Sequence, residues 1–415
     1  MAHALVVGAG IAGETLAVTL ARDGWRVTVV EIAPALRTGG QTVDLRGDSR
    51  QVLVDLGLID EVLGHLVPQR GIAWIRADGS RTAAMPVEAF GGNGLISTEE
   101  LLRSDLARVL HAAARDAGVE HRFADTVEQL TDTADGVEVR FRSGSAEVFD
   151  IVAGADGSHS RIRSLRFGPE QAYRRPLGLA HAWFTLEEGP GTPPLDGWAL
   201  SYNEPGCRGL TARPGHAGQQ EVGMTFAASA VPRDRDARLA TLEDAFGGAG
   251  WRAAEFLAAA RTAPDLALDT YDQIHVDGSW SDGRVVLVGD AAWCASPLSG
   301  LGTALGLRGA AELAAALRGH AVSAEPTAER IRAAFSTFEA AMRPRATAAQ
   351  KLLPGRVRMV APRTRWGIRA NALLMRVVQA RVLLPLVAFL AGGRGHDDAA
   401  TGAGPSVRGR SRHAG

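Results

Sequence analysis

Three carboxylates in this 415-residue chain each close a strand-like run, the last two beside glycine: Glu31 after "WRVTVV", Asp156 in "VAGADG" and Asp290 in "VLVGD". An acid at the carboxyl end of a parallel strand is placed to accept hydrogen bonds from ribose or polyol hydroxyls. Ahead of Glu31 stands "VVGAGIAG", with Gly8, Gly10 and Gly13. Gly8 permits the tight turn, Gly10 lets backbone approach a phosphate, and Gly13 lets helix and strand pack closely. The helix start at Ile11 and Ala12 then offers free N–H groups and positive dipole to a pyrophosphate. Glu31 lies 18 positions after Gly13, where it would bind ribose hydroxyls and repel a 2′-phosphate. The run therefore predicts a dinucleotide site.

The other two acids sit in longer motifs. "GADGSHSRIR" (154–163) carries Asp156, Gly157, Ser160 and Arg163 directly after a strand. Alone, Asp-Gly is an ordinary turn. In "VLVGDAAWCASPLSGLGTALGL" (286–307), Gly289-Asp290 ends a strand, and Pro297, Ser299, Gly300, Leu301 and Gly302 lead into a helix. A glycine-rich helix start can bring bare N–H groups against a flat ring bearing negative charge. Alone, this motif reads equally as a capped helix after a strand.

Together and in this order, the three motifs resemble the class A flavoprotein monooxygenases, the aromatic hydroxylase family. The resemblance covers residues 3 to about 320, with Trp293 and Cys294 standing where His and an aliphatic residue are common. It implies bound, non-covalent FAD, with Asp290 on the ribityl chain and the backbone of 300–302 at the pyrimidine edge of the flavin. It implies that Asp156 supports both FAD and a transient NAD(P)H, and that Arg103 in "LLRSDLARVL" contacts FAD. A finer likeness in "LRTGGQTVDLRGDSRQVLVDLGL" (36–58) is to the branch that hydroxylates tetracyclines and related polyketides. It makes Arg37 and Asp44 candidates near the isoalloxazine.

One Gly-x-Gly-x-x-Gly, where a two-domain reductase would normally show two, implies that the nicotinamide docks, reduces the flavin and leaves. The expected activity is an FAD-dependent, NAD(P)H- and O2-using hydroxylation or Baeyer–Villiger insertion through a flavin C4a-hydroperoxide. Its substrate would be a polycyclic aromatic or polyketide-like molecule, in secondary metabolism such as antibiotic biosynthesis. The cofactor carries that chemistry, so no Ser-His-Asp or paired-carboxylate set is expected. Arg37, Asp44 and Pro297 are the candidate side chains beside the flavin. A reductase of the geranylgeranyl-reductase type and a non-catalytic flavin-binding protein remain alternatives. The halogenase signature Trp-x-Trp-x-Ile-Pro is absent.

The elements that must position these residues follow from periodicity. Residues 3–8 and 25–31 read as buried strands around a helix at 12–23, a βαβ opening. A helix runs through "SRQVLVDLGL", a hairpin turns about Asp78-Gly79 with Pro86 at an edge, and a helix spans 98–117 with Thr98 as N-cap. Residues 126–152 suggest two strands about a turn. "GLAHAWFTL", "GWALSYN" and "EVGMTFAAS" read as strands, with a helix around 239–259. His181, Trp183, Tyr202, Arg213, Met224 and Phe226 fall on these middle strands and are the candidates for a substrate pocket. The expected fold is α/β: a Rossmann-like FAD-binding domain of the GR2 type, an inserted β-sheet substrate domain and C-terminal helices. The division is FAD-binding parts at 1–70, 98–169 and 281–320, a substrate-domain hairpin at 71–97, and a substrate sheet at 170–280. C-terminal helices at 321–393 and a disordered tail at 394–415 complete it.

Composition narrows the classes. A net charge of −1 with 22% charged residues gives no long-range pull toward nucleic acid. Arg supplies nearly all the positive charge. The two cysteines, Cys207 and Cys294, indicate neither a disulfide framework nor a Cys-based zinc site, and no metal is expected. Cys294 reads as a small buried thiol. The most apolar stretch (370–393) is interrupted by Arg376, Arg381 and Pro385, and reads as a helix packed across the domains rather than a membrane span. A cytoplasmic monomer or homodimer is expected.

Overall fold

The computed structural model describes residues 1–45, 47–90 and 97–379. The disordered-tail expectation and the second half of the apolar stretch lie outside these residues. The first sheet has six strands in the order Ser281–Asp282, Val285–Leu287, Ile151–Gly154, His3–Val7, Arg26–Val30 and Glu120–Arg122. All pairs are parallel except the short Ser281–Asp282 edge. Strands buried on both faces need continuous apolar runs, and HALVV and RVTVV supply them. Helices Ile11–Arg22, Gly302–Gly319 and Ala328–Gln350 pack together, and Arg103–Asp116 packs on the first of them.

The second sheet has seven strands: Ala267–Ile274, Arg174–Glu187, Gln219–Phe226, Arg208–Pro214, Trp198–Glu204, Gly71–Ile75 and Arg81–Pro86. Its one parallel pair joins the 71–86 hairpin, contributed from far upstream, to Trp198–Glu204. The hairpin turns where the Asp78-Gly79 reading placed it, with Gly79 at φ +79° and Pro86 ending the edge strand. One face of this sheet packs on Arg235–Phe246 and Ala253–Thr262 around the fully buried Phe184, Phe246 and Phe256. The described part of the last helix, Arg365–Gln379, lies against the hairpin, with Met375 packed beside Ala83 and Met85. Among the described residues no helix is long and apolar enough to cross a membrane.

Three local expectations are corrected. The helix expected from residue 98 begins at Arg103, because Glu100–Leu102 pairs antiparallel with Thr42–Asp44 and holds Thr98 outside the helix. The helix around 239–259 is two helices, broken where Gly247 to Trp251 leave helical geometry, with Gly248 at φ +78° and Trp251 at φ +56°. The 126–152 region holds a three-stranded antiparallel sheet, because a second turn at Gly144 (φ +90°) adds Ala146–Phe149 to the first two strands.

Candidate active site

Two cavities lie against each other in sequence terms. The first is lined by Gly8, Gly10, Ile11, Glu31, Arg37 and Arg103, with Asp156, Gly157, His159 and Arg161 on its far side. Its floor is backbone. A Cβ on Gly8 would stand 2.6 Å from the Ala155 carbonyl, and one on Gly13 would stand 1.9 Å from the Gly8 carbonyl. Gly13 and Ala12 therefore pack behind the wall, Ala12 touching the position a Gly289 Cβ would take, 3.1 Å away. Glu31 is fixed in place by the N–H groups of Ala9 and Ala33, each donating at 2.9 Å to a different carboxylate oxygen.

The charged groups here are arranged for something else to pair with. The Arg37 and Arg103 guanidinium groups have no hydrogen-bond partner among the described residues. Burial lowers the Arg103 pKa, the neighbouring Arg37 charge lowers it further, and Asp290 and Glu31 oppose that. Asp290 is pushed above the usual carboxylate range by burial, against the pull of Arg103. Both side chains keep accessible area although protein surrounds them, as polar groups on the wall of a deep cleft do. Orphan cations, bare helix N–H groups and glycines that admit no Cβ fit a dinucleotide bearing a pyrophosphate.

Asp156 plays a second part. Its carboxylate accepts from Ser160 Oγ at 2.6 Å, Arg161 N at 2.7 Å and Ile162 N at 3.1 Å, while Ser160 caps the same helix. Burial raises its pKa against these bonds. Arg163, fully buried, donates to the Ser158 carbonyl at 2.6 Å and the Ala291 carbonyl at 2.8 Å. The Asp-Gly loop is thus tied to the Gly-Asp loop by one guanidinium. In the Gly-Asp segment, Gly289, Ser296 and Gly300 take φ of +66°, +73° and +68°. Ser296 stabilises its strained turn by accepting from Leu298 N. Leu301 and Gly302 follow as the start of the Gly302–Gly319 helix. Cys294 is buried, and burial raises its thiol pKa well above the ordinary value.

The second cavity, about 300 Å³, lies on the face of the seven-stranded sheet opposite the phenylalanine core. Strand parity decides which residues reach it. A cross-strand row runs Trp183, Gly223, Thr211, Ser201 and Trp74, and all five line the cavity. His181 and Arg213 line it too. The alternate row runs Ala182, Met224, Leu210 and Tyr202, with Phe226 on the same side, and packs into the core. Tyr202, Met224 and Phe226 are therefore corrected as pocket candidates: a one-residue offset sends them to the other face. Asp44 lines neither cavity and accepts from Ser97 N at 3.1 Å. Pro297 and Leu298 belong to the second cavity, so the Gly-Asp segment contributes to its wall.

The second cavity is aromatic, with Arg213, Glu221 and Arg356 as its charged lining. His181 lies near-parallel to Trp183 and Tyr271, with ring centroids 5.8 and 5.4 Å away. Burial lowers its pKa to about 4, with Arg213 adding to the effect, so the ring is neutral; its Nδ1 lies 2.6 Å from Thr225 Oγ1. Burial pushes Tyr271 up to about 12 and Glu221 up to about 7. Arg213 pairs with the buried Glu100 at 2.5 Å. Sequence reading missed Trp74, Arg356, Met359, Asn371 and Met375 on this wall. Trp74 carried a signal, since it shares strand parity with Ile72, which lines the same cavity.

Away from both cavities, Glu14 is fully buried and lies 3.0 Å from His111 Nδ1 and 3.0 Å from His121 Nε2. Among the described residues this is the group whose metal-capable atoms converge. It ties the first helix to the helix and strand that follow Arg103, and the imidazoles offset the cost of burying a carboxylate.

A family model described as FAD binding domain matches residues 1–340. An uncharacterised Mycobacterium tuberculosis protein is 38% identical over 323 residues, 77% of this chain and 85% of that protein. The FAD-dependent monooxygenase asL4 of Sarocladium schorii is 33% identical over 327 residues, 76% of this chain and 75% of that protein. Among solved structures, the tetracycline destructase Tet(51) is similar with a TM-score of 0.75 at 27% identity, covering 91% of this chain and 97% of that one.

Proposed function

The chain belongs to the FAD-binding-domain family of flavin-dependent monooxygenases, and on that premise we propose that it uses NAD(P)H and O2 to hydroxylate, or insert oxygen into, a polycyclic aromatic or polyketide-like molecule. The observation that carries this reading is the shared wall. The segment from Asp290 to Gly302 begins beside Arg103 of the first cavity and supplies Pro297 and Leu298 to the aromatic second one. FAD, when bound, supplies the redox and oxygen chemistry.

The chain's own residues hold and orient. Glu31 would accept from the ribose, and the N–H groups at Gly10 and Ile11 would meet the pyrophosphate with Arg37 and Arg103 beside it. Asp290 would take the ribityl hydroxyls, and the Gly300–Gly302 backbone would meet the pyrimidine edge. Asp156 would act chiefly by ordering its loop. The aromatic walls would exclude water and hold a flat substrate. The similarity to a tetracycline destructase supports a polycyclic substrate.

The test is to purify the protein, record its flavin spectrum and screen aromatic polyketides for stimulated NAD(P)H oxidation. Oxygen uptake in step with product is the expected result. A colourless protein that takes up no FAD overturns the reading, and reduction of an alkene without oxygen uptake replaces it with a reductase.

A further inference from the structure

Arg356 differs from every other charged group on the wall of the second cavity. It opens the short helix Arg356–Val360, and its Nε donates to the Leu298 carbonyl at 3.2 Å. Its two terminal amino groups have no partner among the described residues. Arg213, the other cation of this cavity, is neutralised by Glu100. Burial lowers the Arg356 pKa, and among the described residues no carboxylate offsets the effect. Glu221, the acid on the same wall, is coupled instead to Asp265, His216 and Arg213. Desolvating a guanidinium without an acid is costly, and an anion arriving from solution would recover that cost.

A second observation concerns the chain around it. No Asp or Glu occurs among the described residues from 341 to 379, a stretch that holds eight arginines and one lysine. Arg356, Met359, Asn371 and Met375 bring this acid-free segment onto the cavity wall. Arg343 and Arg345 of this segment are paired with Glu339 and Asp48, so Arg356 is the cation that the segment presents to the cavity. The same cavity offers the stacked His181, Trp183 and Tyr271 rings, with His181 neutral.

We propose that Arg356 is an anion subsite, so that the substrate is a flat aromatic acid whose carboxylate or ionised hydroxyl is held by the free guanidinium edge. This deepens the monooxygenase reading and rests on it for the word substrate. The site also places the anion next to Leu298, which follows Pro297 in the segment shared with the cofactor cavity.

The test uses the FAD-loaded protein and three probes: 2-naphthoate, its methyl ester and 2-naphthol, each titrated by calorimetry. A charge-assisted bond to Arg predicts that naphthoate binds at least about tenfold tighter than the ester. Arg356→Gln should abolish that preference while leaving ester binding and flavin content unchanged. Arg356→Lys should restore part of it, since a point charge replaces the fork. Naphthol that binds tightly only above the phenol pKa of about 10, and only with Arg356 present, assigns the anion to an ionised hydroxyl. Equal binding of acid and ester, a preference that survives Arg356→Gln, or no binding of any probe overturns the subsite. Calorimetry needs no turnover, so a protein without FAD fails the monooxygenase reading separately.

Discussion

The cavity proposed for the cofactor has a backbone floor, and the cavity proposed for the substrate is walled by side chains. In the first, function rests on N–H groups and on places where no Cβ fits, such as Gly13 against the Gly8 carbonyl. In the second, a row of alternate residues across five strands sets shape and polarity, and small changes of identity leave the framework standing. Backbone sites demand particular residue types at fixed spacing, so they leave a local mark in sequence. Side-chain sites demand only that the right strand faces meet.

The sharpest test of this contrast enlarges one side chain in each cavity region. Gly13→Ala places a Cβ 1.9 Å from a carbonyl oxygen, a contact that neither helix nor strand can absorb. It should reduce bound FAD by more than about 100-fold or prevent folding, read by flavin absorbance and circular dichroism. Ser201→Val, on the cavity row of the sheet, should leave flavin content at the wild-type level. Equal flavin loss in both would erase the distinction.

The next test asks whether the two regions stand or fall together. Phe256 is fully buried in the cluster behind the seven-stranded sheet. Phe256→Ala should cost roughly 3–5 kcal/mol of stability in denaturant unfolding. The folded fraction should still hold FAD stoichiometrically. Flavin loss from folded protein would show that the sheet's core reaches the cofactor cavity.

Asp290→Ala probes a side chain in a region otherwise governed by backbone. If Asp290 holds the ribityl hydroxyls as proposed, its loss should weaken FAD retention about tenfold, or about 1.4 kcal/mol. Unchanged flavin content after dialysis would remove Asp290 from the site.

The same contrast explains what was legible in the sequence. Gly8, Gly10, Gly13 and Glu31 announce a βαβ unit within one continuous run, and the structure has that unit at His3–Val7, Ile11–Arg22 and Arg26–Val30. The Arg163 bridge to Ala291 joins segments 128 residues apart, which no local pattern reports. On the middle strands, choosing apolar residues as pocket candidates selected the wrong face for Met224 and Phe226. The cavity side of that strand reads Glu221, Gly223 and Thr225. A partly polar cavity takes the less apolar parity, and the core takes the other. Thr98 misled for a different reason: Glu100–Leu102 found a strand partner in Thr42–Asp44, and tertiary pairing overrode a good cap residue.

The smallest effect lies where the two regions touch. His159, on the Asp-Gly loop, stands 3.1 Å from Glu170 and 3.1 Å from Asp269 of the seven-stranded sheet. Its pKa is raised to about 9, first by the hydrogen bond to Asp269 and then by the charges of both acids, against burial. A raised histidine pKa contributes stability that is complete below its unfolded value of about 6.5 and is lost as pH climbs through 9. Because the side chain is half exposed, water and salt screen the clasp, and its worth is about 1 kcal/mol at most. Wild type should therefore melt slightly higher than His159→Gln in mildly acidic buffer, and the gap should close in alkaline buffer and in high salt. A gap that widens with rising pH would mean that His159 joins the two regions as a neutral ring, through packing rather than charge.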